Sequence, residues 1–418
     1  MKIGLLIIGN EILEGKIADL NTRSLAIYLR ELNLELTTSL VVSDLESAIH
    51  GGLKSLFHDC DVVVTSGGLG PTRDDLTKEA IASYLGREIS FSEASYQVAL
   101  KNYQRFNRPF ENKNHGYCFL PEGFLPLENT TGFAPCLYTA DNGKYLLCGP
   151  GVPKEFKSML TDHFEKLISQ HFPKSNLLIE TFTARTKRIP EEKIFGEVDP
   201  TLWNQLTSYG TVSSLPTVMG VDIGIKIIAH SSHEMNLKKN ELMEIFQKSP
   251  VAPAIWQYGL TPLEDYIVSL ANKKKITYGF AESCTGGLCS HRMTNIAGSS
   301  QTFLGSVICY SETIKSSALG VSPQTLAEFG AVSAETAAEM SLGLAKSFGL
   351  DVAISVTGLA GPGGGTLDRP VGTAFVGLTC RGQTTTHKLQ LFGDREQLKL
   401  RFSQAVLFYL LEELEKIA

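Results

Sequence analysis

Two stretches of this chain alternate short, unbroken apolar runs with amphipathic segments, and that alternation limits the possible folds more than any other feature. In the first third, KIGLLIIG is followed by DLNTRSLAIYLRELNL, LTTSLVV, LESAIHGGLKSLFHD and DVVVTSGG, and a further helix is expected after LCGPGVPKEF, ending near Gln170. The last third repeats the pattern with KITYGFAES, SQTFLGSVICYS, DVAISVTG and VGTAFVGLTC, and closes on a long helix. In that helix Leu398, Phe402, Ala405, Tyr409 and Leu410 share a face, and Asp394 stands at the N-cap position. Strand-helix-strand order at this spacing predicts parallel sheets covered by helices, with ligands at the carboxyl ends of the strands. Between the two lies a mixed stretch without a reactive cluster, and SPVAPAIWQYGLTPLED reads as a linker. The expected class is α/β: two three-layer αβα domains with mostly parallel sheets, at 1–170 and 255–418, joined by a small α+β connector at 175–250.

A length of 418 residues exceeds what one core organises, which agrees with several domains. The net charge of −6 argues against a general nucleic-acid binder, and 175–250 holds no G-x-x-G clamp for single-stranded RNA. Small molecules are the expected partners. No apolar run approaches bilayer length, so no membrane partner is expected. The N-terminal MKIGLLIIGNEILEG reads as a buried first strand rather than a leader. Eight scattered cysteines without a C-x-x-C pair predict reduced thiols and a cytoplasmic location.

Two strand tips open into glycine loops, DVVVTSGGLGP at 61–71 and DVAISVTGLAGP at 351–362. Backbone N–H groups in such loops can approach phosphate closely. Around the first, Gly67 and Gly68 precede Asp74 and Asp75, and Asn10, Glu11 and Asp44 follow other predicted strands toward the same sheet edge. Asp75 can cap the next helix, or the paired carboxylates can hold a divalent metal against phosphate oxygens. Around the second, AESCTGG places Ser283, Cys284 and Thr285 at a strand end before Gly286 and Gly287. Ser283 or Thr285 can serve as a helix cap, or one of these side chains can be a nucleophile beside the N–H donors of a helix start. SVICYSETIK supplies Tyr310 and Lys315; a lysine packed among apolar groups loses its charge more readily and can act as a base, whereas a solvated one cannot. Thr357, the glycines Gly361, Gly363 and Gly364, and Arg395 complete a set suited to an amide and a phosphate in one pocket.

GNEILEGKIADLN, VVSDLESAI, TSGGLGPTRDDLTKEA, LENTTGFAPC and GPGVPKEF resemble the N-terminal domain of the CinA family, competence/damage-inducible proteins related to molybdopterin-binding proteins. This resemblance implies hydrolysis of ADP-ribose to AMP and ribose 5-phosphate with a divalent metal (Mg, Mn or Co), with Asp44 and Asp75 on the acidic positions of the pocket. Asn10 stands where the family carries threonine and Cys136 where it carries glycine, which predicts a weakened site. AESCTGG, GSVICYSETIK, GAVSAETAAEM, SVTGLAGPGGG, RPVGTAFVG and GDRE are similar to the CinA C-terminal domain, which also exists alone as nicotinamide mononucleotide deamidase. That resemblance implies conversion of nicotinamide mononucleotide to nicotinate mononucleotide and ammonia without a cofactor, and a homodimer. Carried onto this chain, Ser283 is the nucleophile, Lys315 its base, Tyr310 a positioning or relay group, and Thr357 a contact to substrate or oxyanion. Arg395 and the Gly361–Gly365 loop would take the phosphate. Cys284, a rival nucleophile if its thiolate were favoured, is expected to pack inward.

Overall fold

The computed structural model describes residues 1–72, 75–141, 143–172 and 177–417. The chain packs as two compact units, Met1–Glu180 with Ile228–Leu237, and Thr181–Ile227 with Lys238–Ala418.

In the first unit the strands are β1 (Ile3–Ile8), β2 (Leu36–Val42), β3 (Val62–Ser66), a short antiparallel pair β4 (Ile89–Phe91) and β5 (Phe119–Pro121), then β6 (Leu125–Leu127), β7 (Cys136–Asp141) and β8 (Lys144–Gly149). Six of them form one sheet in the order β2-β1-β3-β8-β7-β6, parallel from β2 through β8 and antiparallel over the last two. Every residue of β1 is buried, but its two faces enter different cores. Ile3, Leu5 and Ile7 pack with Leu25, Leu29, Phe156 and Phe164, whereas Leu6 and Ile8 pack with Ile49, Leu53 and Leu56. A strand with period-2 side chains and helices on both sides is what makes the unit three-layered. Gly52 lets the helix Glu46–Asp59 lie close on the sheet, since a Cβ there would stand 2.5 Å from Leu6 Cδ1. The chain leaves β1 toward β2 on one side and β3 on the other, so the carboxyl ends of β1 and β3 form the crevice where such sheets bind ligands.

In the middle of the chain, β9 (Leu178–Thr186), β10 (Thr211–Pro216), β11 (Val221–Ala229) and β12 (Ile255–Tyr258) form a four-stranded sheet ordered β10-β11-β9-β12. The stretch read as a linker is therefore not one. Ile255–Tyr258 pairs antiparallel with β9, Trp256 is buried, and the Arg185 guanidinium lies 4.8 Å from the centre of its ring.

The C-terminal strands are β13 (Tyr278–Glu282), β14 (Phe303–Ile308), β15 (Val352–Gly358), β16 (Thr373–Cys380) and β17 (Gln383–Gln390), ordered β14-β13-β15-β16-β17. The first three run parallel; β16 and β17 are antiparallel because a glycine-rich loop, then a two-residue turn with left-handed Arg381 and Gly382, replace helical crossovers. Tyr278, Phe280 and Ile354 face one core with the helix Arg395–Lys416, while Ala281 and Ala353 face another with Met340 and Leu344. Asp394 caps the final helix as expected, with Gln397 completing a reciprocal capping box.

Candidate active site

In the C-terminal sheet, the carboxyl ends of neighbouring parallel strands bring Ser283 and Lys315 together. Ser283 follows β13 and extends its pairing, donating its N–H to Val356 O at 3.0 Å; Cys309 follows β14 and donates to Glu282 O at 2.8 Å. The helix Glu312–Leu319 begins just beyond, capped by Ser311, and Lys315 on its first turn points back toward the strand ends. Lys315 Nζ lies 2.9 Å from Ser283 Oγ and donates to Cys309 O at 2.7 Å. Only 1% of Lys315 is exposed. Burial pushes its ammonium pKa below the usual lysine range, and nearby Cys309 and Cys284 oppose this only in part.

The turn that carries Ser283 is held by Glu282, a residue that sequence reasoning missed. Its carboxylate is fully buried and accepts from Thr285 Oγ1, the N–H groups of Gly287, Cys289 and Ser290, and Ser290 Oγ, all between 2.5 and 3.1 Å. One anionic side chain thus satisfies the start of the helix Leu288–Thr294. This decides between the two readings of the turn against a cap: the helix opens five residues after Ser283, and neither Ser283 nor Thr285 caps it. The only sequence signal was an acidic residue at the end of an otherwise apolar strand. Gly286 (φ +60°) and Gly287 (φ +94°) take the left-handed backbone the turn requires.

Cys284 packs inward as expected, and burial pushes its thiol up to about 12. Tyr310 is 64% exposed, and its hydroxyl accepts from Arg395 Nη2 at 3.1 Å rather than meeting Ser283. The other Arg395 branch donates to Gly361 O at 2.6 Å. Thr357 is buried with its hydroxyl donating to Ala331 O at 2.6 Å, so its proton is committed elsewhere. Gly363 and Gly364 lie in the exposed part of the glycine loop.

In the first unit, Gly67 and Gly68 both have positive φ, and Thr77 grips the turn through Gly67 O and Gly68 O. A Cβ on Gly67 would stand 2.1 Å from Ile8 O, so the loop closes against the end of β1. Asp44 accepts from the Asn10 N–H at 2.7 Å, and Glu11 lies in the same short turn. Asp75 does not cap the helix Thr77–Leu85; its carboxylate turns back to the N–H and hydroxyl of Thr72. Asp74 falls outside the described residues. Among the described residues no three His, Cys, Asp or Glu side chains converge to hold a metal ion. With Asp44 and Asp75 each drawn to a local donor, these residues do not by themselves make a donor set for the expected divalent metal. Cys136 lies in the apolar core with Leu147 and Phe156, and burial raises its thiol pKa. Asn21 was also missed: its amide nitrogen bridges Ser66 Oγ and Gly151 O at 2.7 Å each, while its buried Oδ1 has no partner among the described residues.

Residues 260–414 match the family model described as "CinA C-terminal domain", and residues 4–170 match "Probable molybdopterin binding domain". A "CinA-like protein" of Kosmotoga olearia is 35% identical over 405 residues, covering 96% of each chain. The chain belongs to the CinA family. Another relative, named as a putative competence-damage inducible protein in Clostridium acetobutylicum, is 34% identical over 99% of each chain. Among solved structures, the competence/damage inducible protein CihA from Agrobacterium tumefaciens is 34% identical, covering 38% of this chain and 99% of that one, with a TM-score of 0.36. Among the described residues no helix is long and apolar enough to cross a membrane.

Proposed function

We propose that the C-terminal domain of this CinA-family chain is an amidohydrolase that converts nicotinamide mononucleotide to nicotinate mononucleotide and ammonia. The observation that carries this reading is the buried 2.9 Å contact between Lys315 Nζ and Ser283 Oγ. In its neutral form the amine donates one N–H to Cys309 O and turns its lone pair to the serine hydroxyl. Ser283 Oγ then attacks the carboxamide carbon as its proton passes to Lys315. The tetrahedral adduct collapses when Lys315 returns that proton to the departing nitrogen, and ammonia leaves an ester on Ser283. A water molecule, deprotonated by Lys315, hydrolyses the ester and restores the serine. The Ser283 N–H is committed to Val356 O, so the Cys284 and Thr285 N–H groups are the turn's candidate donors to the oxyanion. No cofactor enters any step.

For the N-terminal domain we propose cleavage of the pyrophosphate of ADP-ribose at the crevice between β1 and β3. The support is the curled Gly67-Gly68 loop beside Asn21 Oδ1, a buried acceptor without a partner among the described residues. A divalent metal would supply charge neutralisation on the phosphates; the described side chains do not define its ligands, and no step is derived through it. The protein is further proposed to be cytoplasmic and a homodimer, which light scattering tests. Purified protein should release ammonia from nicotinamide mononucleotide in the presence of chelator, while ADP-ribose cleavage should need added Mg, Mn or Co. ADP-ribose cleavage without ammonia release would make the first domain the main activity. Neither activity in a folded, nucleotide-binding protein would point to a sensing module.

A further inference from the structure

We infer that Lys399, together with Arg395, binds the phosphate of the substrate at the Ser283 turn. This rests on the amidohydrolase reading above and names a residue outside the motifs that carried it. The capping box starts the last helix at Arg395, and Leu398 and Phe402 anchor its inner face in the core. Arg395 and Lys399 are four residues apart, so they project from the same face of the helix, one turn above the other. Arg395 reaches Gly361 O and Tyr310 OH, both neutral acceptors. Lys399 Nζ hangs over the nucleophile turn: it lies 3.9 Å from where a Cβ on Gly286 would stand, and among the described residues no other atom outside the turn comes that close.

Two observations point this pair at a ligand. Among the described residues neither Arg395 nor Lys399 forms an ion pair with a carboxylate, and Lys399 stands over the turn that carries Ser283 in a chain of net charge −6. The missing Cβ at Gly286 keeps the space beneath Lys399 open, whereas a side chain there would fill it. A phosphomonoester carries close to two negative charges at neutral pH, and two cations on one helix face match that charge. The site would thus select the phosphorylated carboxamide over its free nucleoside, with Arg395 fixing orientation and Lys399 supplying point charge.

The test uses the full chain carrying Ser283→Ala, which can bind without turning over, and calorimetry with nicotinamide mononucleotide. Adding Lys399→Gln should weaken binding roughly 10–100-fold, the scale of one charge-assisted contact, and Lys399→Arg should restore most of it. In the protein with Ser283 intact, Lys399→Gln should raise KM more than it lowers kcat and shrink the preference for the mononucleotide over nicotinamide riboside. A merely structural lysine would not alter that preference. Unchanged affinity in Lys399→Gln, or no binding of the mononucleotide to the Ser283→Ala protein, would overturn the assignment. Turnover by the wild-type chain reports separately on the amidohydrolase reading, so loss of one is not mistaken for loss of the other.

Discussion

Glu282→Gln is the substitution that most directly tests how the Ser283 turn is built. The buried carboxylate receives five hydrogen bonds, three on Oε2 and two on Oε1. A glutamine keeps the shape but has one acceptor and one donor end. Its better orientation places the amide oxygen on the Oε2 side, preserving the bonds from Thr285, Gly287 and Cys289. The NH₂ group then faces Ser290, whose hydroxyl can rotate to accept but whose N–H cannot. Opposed donors leave one buried N–H unpaired, at about 1–3 kcal/mol. The remaining bonds lose their ionic strength, but the amide also escapes the cost of burying a charge, and the two changes largely offset.

At about 2–4 °C per kcal/mol for a body of this size, melting of the C-terminal unit should fall by roughly 2–12 °C. Displacing a nucleophile by even ~1 Å costs on the order of 100-fold in rate, so kcat for ammonia release should drop about 10–100-fold with little change in KM. Glu282→Ala, which abandons all five donors, should cost at least about 3–5 kcal/mol. Differential scanning calorimetry and a coupled ammonia assay on the same preparations measure both effects. A Glu282→Gln protein that melts within a degree of wild type and keeps its kcat would refute the anchoring argument.

Ser283→Ala should abolish ammonia release, while Cys284→Ala, which removes a buried thiol held near 12, should keep most of it; the reverse result reassigns the nucleophile. The pH profile of kcat/KM should rise with pH as Lys315 loses its proton, with a midpoint below the ordinary lysine value of 10.5, and a flat profile across that range would remove Lys315 as the base. Gly287→Ala should destabilise by about 1–2 kcal/mol through its left-handed φ, and its new Cβ would press on Ile308 Cδ1 at 2.9 Å; a thermal melt identical to wild type would contradict the strain assigned to this turn.

The parts of the fold that were legible in the sequence are those where one physical effect dominates. β1, β3, β13 and β15 lie between two helical layers, so their residues are almost uniformly apolar and stand out as unbroken runs. Ile255–Tyr258 escapes recognition because a four-residue strand among prolines and glycines leaves too few positions for a pattern. Asp75 is ambiguous for a different reason. A carboxylate before a helix can turn forward to cap it or backward to its own loop, and only the loop geometry selects Thr72. At the candidate site the residue types were readable, but the meeting of Ser283 and Lys315, 32 positions apart, depends on β13 and β14 being neighbours. Glu282 and Lys399 were invisible because isolated charged residues ordinarily belong to solvent; only the fold buries the first among five donors and brings the second over Gly286.

The same burial that underlies the base role proposed for Lys315 should tax the folded state, and the sign of that effect is testable. Its folded pKa is lowered relative to the unfolded chain, so between the two values the unfolded state binds more protons and stability rises with pH. Below the folded value the full penalty applies, at about 1.4 kcal/mol for each unit of lowering. Lys315→Met removes the titrating group while keeping most of the side-chain volume. It should therefore abolish activity yet melt at or above the wild-type temperature near pH 7, despite leaving Cys309 O without its donor. As pH rises toward 10.5 the wild-type protein recovers its penalty, and the advantage of the variant should shrink. Melting both proteins at about pH 7 and about pH 10 isolates this one group, because all other titrations are common to the pair. A difference in melting temperature that stays constant over that interval would mean that Lys315 keeps an ordinary pKa in the folded chain, and the serine would then lack a neutral amine to take its proton.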